Sequence, residues 1–391
     1  MKKTLLMLSV LAVGVSVAQQ RPATPPTTAP QTNATAPAAP AMPQKPKPKT
    51  FKDVVTDKAI TRKGLFTVHK VEEKYYFEIP DSIINREIMA ITRIAKTPSG
   101  AGYGGEIANR QTLSFEKGPN ENIFLRCITL VSYADSTDNI AKAVTNSNVN
   151  TIAASFPIVC LGKDSTSTLI DVTDFFKGDN QVVSINPNLK RRYSLTVLAA
   201  DRSYIQKITS YPINTEVRTV KTFNAAPAGG FGGPQMGGGA SLPAASNAGA
   251  VTMEVNTSFI LLPKTPMAVR YWDKRVGYFP DDYVKYSDNQ QRVENKMFAV
   301  RWRLEPKEGE EEKWKKGELV EPKKPIIYYV DPATPKQWRK HLIAGVNDWQ
   351  KAFEKAGFKN AIMGKEWPEN DSTMSLEDAR FSVIRYFASD I

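Results

Sequence analysis

From Lys63 to Lys96 short apolar runs alternate with polar turns. "LFTVHKV" and "KYYFEIP" flank a Glu72-Glu73 pair, and "IMAITRI" follows the polar "PDSIINRE". Runs of this length around such a turn predict a hairpin, a short helical turn and a further strand. The same rhythm continues from about Thr97 to Pro263 in "RQTLSFEKGPNENIFLRCITL", "TIAASFPIVCLGKDSTSTLIDVTDFF", "RRYSLTVLAADRSYI", "TEVRTVKTF" and "VTMEVNTSFILLP". Many short strands at this spacing predict a sandwich or a curved antiparallel sheet.

The period changes after Pro325. "PIIYYVD" reads as a strand buried on both faces. In the turn that follows, Thr334 is expected to cap a helix, with Pro335 at its first position and Gln337 completing a capping box. Trp338, Leu342, Val346, Trp349, Phe353 and Ala356 recur at steps of four, four, three, four and three, one face of a continuous helix that Gly357 ends. "NAIMGKEW" and "ARFSVIRYFA" are expected to add strands against it.

Four segments break these patterns. Lys2 and Lys3 precede an apolar run from Leu5 to Val17, with small residues at Ser16 and Ala18, which predicts a cleaved secretory signal over residues 1–18. The run is several residues short of the roughly 20 that a membrane span needs, so no stable membrane anchor is expected. Residues 19–50 are rich in Pro, Ala, Thr and Gln and are read as a disordered tether. The uncharged glycine-rich stretch 226–250 reads as a loop between paired strands. The charged stretch 305–324 reads as a linker or hairpin. The expected divisions are then a small β-rich domain over 51–96, a larger one over 97–304, and a new domain from 325 to 391.

Charge and candidate chemistry narrow the function. The net charge of +12 comes from basic residues spread along the chain rather than gathered on one element, which argues against nucleic-acid binding. "SGAGYGG" from Ser99 lacks the lysine and helix start of a phosphate loop and is read as a turn. Cys127 and Cys160, each in an apolar run, either pair in an oxidising compartment or remain buried thiols. His69 and His341 are the two histidines of the chain, too few for a histidine-based metal or nucleophile site. The Arg- and aromatic-rich "MAVRYWDKRVGYFPDDYVKY" reads as a packed seam between domains.

Three stretches, "YYVDPATP", "WQKAFEKAGFKNAI" and "DKRVGYF", resemble a family of secreted bacterial zinc-dependent metalloproteases of metzincin-like type, which carry two domains of unknown function ahead of the catalytic domain. The resemblance runs from about Phe51 to the end of the chain. It implies an α+β fold: mainly antiparallel β accessory domains, followed by the first strand-helix-strand elements of a metzincin-like α/β catalytic domain. It also implies zinc as the cofactor of the full-length family, a protein or peptide substrate, and an exported location that is periplasmic, outer-membrane-associated or secreted. The H-E-x-x-H motif that would bind zinc is absent, so no catalytic or metal-binding residue is expected within this chain. The expectation is an N-terminal fragment of such a protease, inactive alone; the alternative is a non-catalytic β-rich binding module. Arg270, Asp273 and Arg275 are the candidates for interdomain packing or a latency contact.

Overall fold

The computed structural model describes residues 49–129, 132–225 and 242–388. The expected signal segment, nearly all of the tether and residues 226–241 of the glycine-rich loop lie outside the described residues. The chain divides into two compact units, and everything below concerns the second, Pro48–Ile391.

Among the described residues eighteen strands form in chain order. The first nine are β1 (Ile60–Arg62), β2 (Thr67–Val71), β3 (Lys74–Pro80), β4 (Ile88–Lys96), β5 (Ile107–Gly118), β6 (Asn122–Ile128), β7 (Ser132–Ala134), β8 (Thr151–Leu161) and β9 (Ser167–Asp171). The others are β10 (Leu195–Leu198), β11 (Tyr204–Tyr211), β12 (Asn214–Ala225), β13 (Ala250–Leu261), β14 (Pro280–Tyr286), β15 (Glu294–Ala299), β16 (Ile326–Val330), β17 (Ile362–Glu366) and β18 (Ser382–Ile384).

Twelve of them make one antiparallel sheet in the order β1-β2-β3-β9-β8-β6-β5-β4-β13-β12-β10, with β11 also on β12. Its two ends approach each other: the Leu65 N–H donates to the Tyr211 carbonyl at 2.7 Å, and the Ser210 hydroxyl donates to the Phe66 carbonyl at 2.7 Å. The sheet is therefore nearly closed and barrel-like. Closure suits a chain of short strands, because it leaves few unpaired edges.

Local sequence explains the individual strands. In β6 the residues Ile123, Leu125 and Cys127 are buried while their neighbours are half-buried, the period of two that one covered face imposes. Strand β12 is buried along almost its whole length, as befits a strand paired with β10, β11 and β13. The β2–β3 hairpin turns at Glu72-Glu73, with Glu72 in the left-handed region (φ 53°), the backbone that a two-residue hairpin loop requires. An aromatic core fills the interior: Phe66 stacks on Phe77 at 5.0 Å, and Phe176 meets Phe259 edge-on at 5.7 Å.

The expected α+β architecture with a metzincin-like α/β catalytic domain is overturned. The chain is mostly β, with 40% strand against 18% helix, and the nearly closed sheet is its organising element. After Pro325 there are three short parallel strands, ordered β17-β16-β18, and a helix in two pieces, Lys336–Asn347 and Gln350–Lys355. The apolar spacing continued through Trp349, but there the N–H turns to Val346, three residues back, and the helix is interrupted. The capping box does not form either. Pro335 occupies the cap position without a side-chain bond, and the Thr334 hydroxyl is buried without a partner. Arg339 fastens the turn before the helix in a different way, donating to the carbonyls of Thr334 (2.9 Å) and Pro332 (2.6 Å). At the other end Gly357 adopts φ +92° and Phe358 is buried behind it.

A candidate site where the two sheets meet

Strands β4, β13 and β12 run side by side, and their register sets Arg93, Asn256 and Arg218 directly opposite one another. Two residues along, Ile91, Ser258 and Glu216 form a parallel row. With a side-chain period of two, both rows share one face of the sheet. That face forms one wall of a cleft of about 490 Å³ whose other wall is the segment from Leu376 to Phe387.

Glu216 is the buried anchor of this wall, 4% exposed. Its carboxylate accepts from Asn214 Nδ2 (2.6 Å), Asn256 Nδ2 (2.5 Å) and Ser258 Oγ (2.7 Å). Burial raises its pKa above the ordinary glutamate value and the nearby Glu377 adds to that, while the three donors oppose it. Because Asn256 donates to Glu216, its own Oδ1 is left buried without a partner. Arg218 Nε is likewise buried and unpartnered, its terminal nitrogens reaching only 3.8 Å to Glu254 and 3.7 Å to Glu377. Burial depresses the Arg93 guanidinium, and Glu216 counters it electrostatically. Among the described residues the Arg93 side chain makes no hydrogen bond or ion pair.

The opposite wall is held on by Asn214, which is fully buried. Its Nδ2 donates to the Glu377 carbonyl (2.9 Å) and its Oδ1 accepts from the Ala379 N–H (3.0 Å). The Glu377 carboxylate accepts from Lys207 Nζ (3.1 Å) and Thr209 (3.3 Å), and Tyr211 meets Ser375 at 2.8 Å. Asp331, buried at the end of β16, accepts from Arg385 Nε at 2.8 Å. Strand β18 is thereby tied both to the large sheet and to β16.

A second, apolar groove lies beside the helix Lys336–Asn347. It has a volume of about 560 Å³ and is lined by Trp302, Tyr328, Leu342, Val346, Trp349 and Ile384, among others. The helix reaches the sheet through Ile343 and Val346, which approach Gly364 so closely that an added Cβ would lie 3.0 Å from Ile343 Cα. Much of the apolar stripe read from the sequence is therefore not buried: Trp338 is 53% exposed and Trp349 63%. His341 lines the same groove.

The residues singled out from the sequence are scattered. Cys127 lies opposite Thr151 on β8, nine residues before Cys160, so the two thiols are roughly 30 Å apart along the strand pair. A disulfide needs Cα atoms within about 7 Å. Both cysteines are free and buried, and burial raises both thiol pKa values. Asp273 accepts three hydrogen bonds from its near neighbour Arg275 in an exposed turn, which lowers its pKa. Arg270 lines a neighbouring hollow with Trp302 and Trp314, away from that pair. His69 is buried in the sheet, its ring bridging Thr61 (2.8 Å) and Glu78 (2.9 Å). Among the described residues no group of three or more His, Cys, Asp or Glu side chains could hold a metal ion, and no helix is long and apolar enough to cross a membrane.

Sequence reading missed Arg93, Glu216, Arg218 and Asn256. Their only local signal is polar residues two apart in apolar strands, Glu216 with Arg218 and Asn256 with Ser258. That spacing places each pair on one face, but nothing local says that the faces adjoin.

No curated protein and no solved structure matches this chain. Two family models do: residues 48–97 match "Domain of unknown function (DUF5118)" and residues 105–307 match "Domain of unknown function (DUF5117)". The second match covers more than half of the sequence, and the chain belongs to the DUF5117 family.

Proposed function

We propose that this chain is the non-catalytic, accessory part of an exported zinc-dependent metalloprotease. The barrel-like sheet serves as a platform, and the Asn214 and Glu377 bonds fix the three-stranded sheet on it. The observation that carries the reading is the uncovered apolar stripe of the helix Lys336–Asn347 and the groove beside it. A parallel sheet is ordinarily covered on both faces by helices. Here one helix packs near β17 and β16, and the groove extends to Ile384 on β18. The occupant we assign to it is a helix of a segment bearing the zinc-binding histidines, which would supply the metal and the water-activating glutamate that this chain lacks. The resemblance of "YYVDPATP" and "WQKAFEKAGFKNAI" to such proteases falls on the elements that border this groove.

The test measures zinc content and peptidase activity of the purified chain, alone and combined with a segment carrying an H-E-x-x-H motif from a metalloprotease that shares these stretches. Activity and stoichiometric zinc only in the combination are expected. Hydrolysis by the chain alone would overturn the reading, and so would failure of the two parts to associate. A second reading, a binding module that acts without any catalytic partner, is favoured by the Arg93-Asn256-Arg218 row, whose Arg93 guanidinium, Arg218 Nε and Asn256 Oδ1 have no hydrogen-bond partner among the described residues.

A further inference from the structure

Arg93, Asn256 and Arg218 form a row of donor, acceptor and donor. Strands lie about 4.8 Å apart, so the two arginines leave the sheet from backbone positions roughly 10 Å apart, with Asn256 between them. Each member is unsatisfied in a way that structural roles do not explain. The half-buried Arg93 guanidinium costs desolvation and has no hydrogen-bond partner, only the more distant attraction of Glu216. Arg218 Nε and Asn256 Oδ1 are buried polar atoms without partners, and such atoms in a native structure require an explanation.

We propose that the cleft is a binding site for the carboxy-terminal residue of a peptide. Arg93 and Arg218 take its carboxylate from either side, Asn256 Oδ1 accepts its backbone N–H, and Ile260, Phe381 and Val383 surround its side chain. The site asks for an anion and an N–H donor within one small group. A peptide's last residue supplies both, because its amide nitrogen and its carboxylate are attached to the same Cα. Phosphate and sulfate supply only the anion. The carboxylates of Glu216 and Glu377 at the base of the cleft further disfavour a dianion. The volume of about 490 Å³ holds one residue and part of a second, and the apolar wall selects a hydrophobic side chain. The proposal goes beyond the accessory role and does not rest on it, since the cleft needs neither zinc nor a catalytic segment.

The experiment is fluorescence polarisation of the full chain with a fluorescein-labelled tripeptide ending in leucine, as the free acid and as the carboxamide, with inorganic phosphate as competitor. The acid is expected to bind and the amide to bind at least about tenfold more weakly, the loss expected for a charge-assisted contact. Arg93→Gln is expected to weaken the acid by a similar factor with little change in the melting temperature, since the Arg93 side chain has no hydrogen bond to lose and the relief of its desolvation offsets the lost attraction to Glu216. Arg218→Gln is the second variant, read in the same way. Equal affinity for acid and amide overturns the proposal, as does absence of binding at about 1 mM peptide or binding unchanged in both variants. Displacement by phosphate as effective as by acetyl-leucine also overturns it, because a bare anion site would then suffice.

Discussion

Asn214 and Glu377, 163 residues apart in sequence, are joined by a hydrogen bond of 2.9 Å from the asparagine side chain to the glutamate carbonyl. The same asparagine accepts from Ala379 and donates to Glu216, so one buried amide touches both walls of the cleft. Directional bonds thus help to fix the carboxy-terminal sheet to the barrel-like sheet.

Asn214→Ala should loosen this junction without unfolding the barrel. It removes the part-buried bonds to the Glu377 carbonyl and the Ala379 N–H, a cost of about 1–3 kcal/mol for two hydrogen bonds. Hydrogen exchange should accelerate in residues 375–388 while the β4–β5 and β12–β13 pairings stay protected. Uniform exchange across the chain would show that the junction is not a separate structural unit.

Lys221 should govern stability in mild alkali. It is 1% exposed and donates to the carbonyls of Phe176 and Gly178 at the end of a short helix. Burial pushes its ammonium down from 10.5 to about 8. Between these values the unfolded chain holds the proton more tightly than the folded one, so this group makes stability rise with pH across that window and contributes no slope well below 8. Over the whole window the change amounts to about 3 kcal/mol. Urea unfolding at pH 7.5 and 9.5, compared between the native chain and Lys221→Met, isolates the effect. An identical pH dependence in the two proteins would refute it.

Neither cysteine should react in the folded protein. Burial disfavours both thiolates, and the two residues stand far apart along their strand pair. A thiol reagent should label fewer than one site per chain under native conditions and two after denaturation, with or without prior reductant. Recovery of reactive thiols only after reduction would place a disulfide in the protein.

How much of this was readable in advance depended on the range of the interactions. The β2–β3 hairpin, the strand character of β6, β12 and β13 and the glycine that ends the second helical piece follow from local spacing and turn chemistry, and they were legible. The order of strands was not, because β3 pairs with β9 and β4 with β13, and nothing local to Ile88–Lys96 specifies Glu254–Leu261 as its neighbour. The helix after Pro325 shows the opposite failure. Its period was clear, but the stripe was assigned to a core that the described structure does not supply, and the turn was fastened by Arg339 rather than by Thr334 and Gln337. The cleft was invisible for the reason the strand order was: Arg93, Asn256 and Arg218 are neighbours only once three distant strands have paired.

That pairing also dictates how the protein must be made. Lys96 and Glu254 meet across 158 residues, and β4 cannot gain its β13 neighbour until the chain has been synthesised past Leu261. Until then β4 offers one bare edge, and the strands already formed can add to one another but cannot close. Folding dominated by such long-range contacts is slow, and an unpaired strand edge is a surface to which another chain can add.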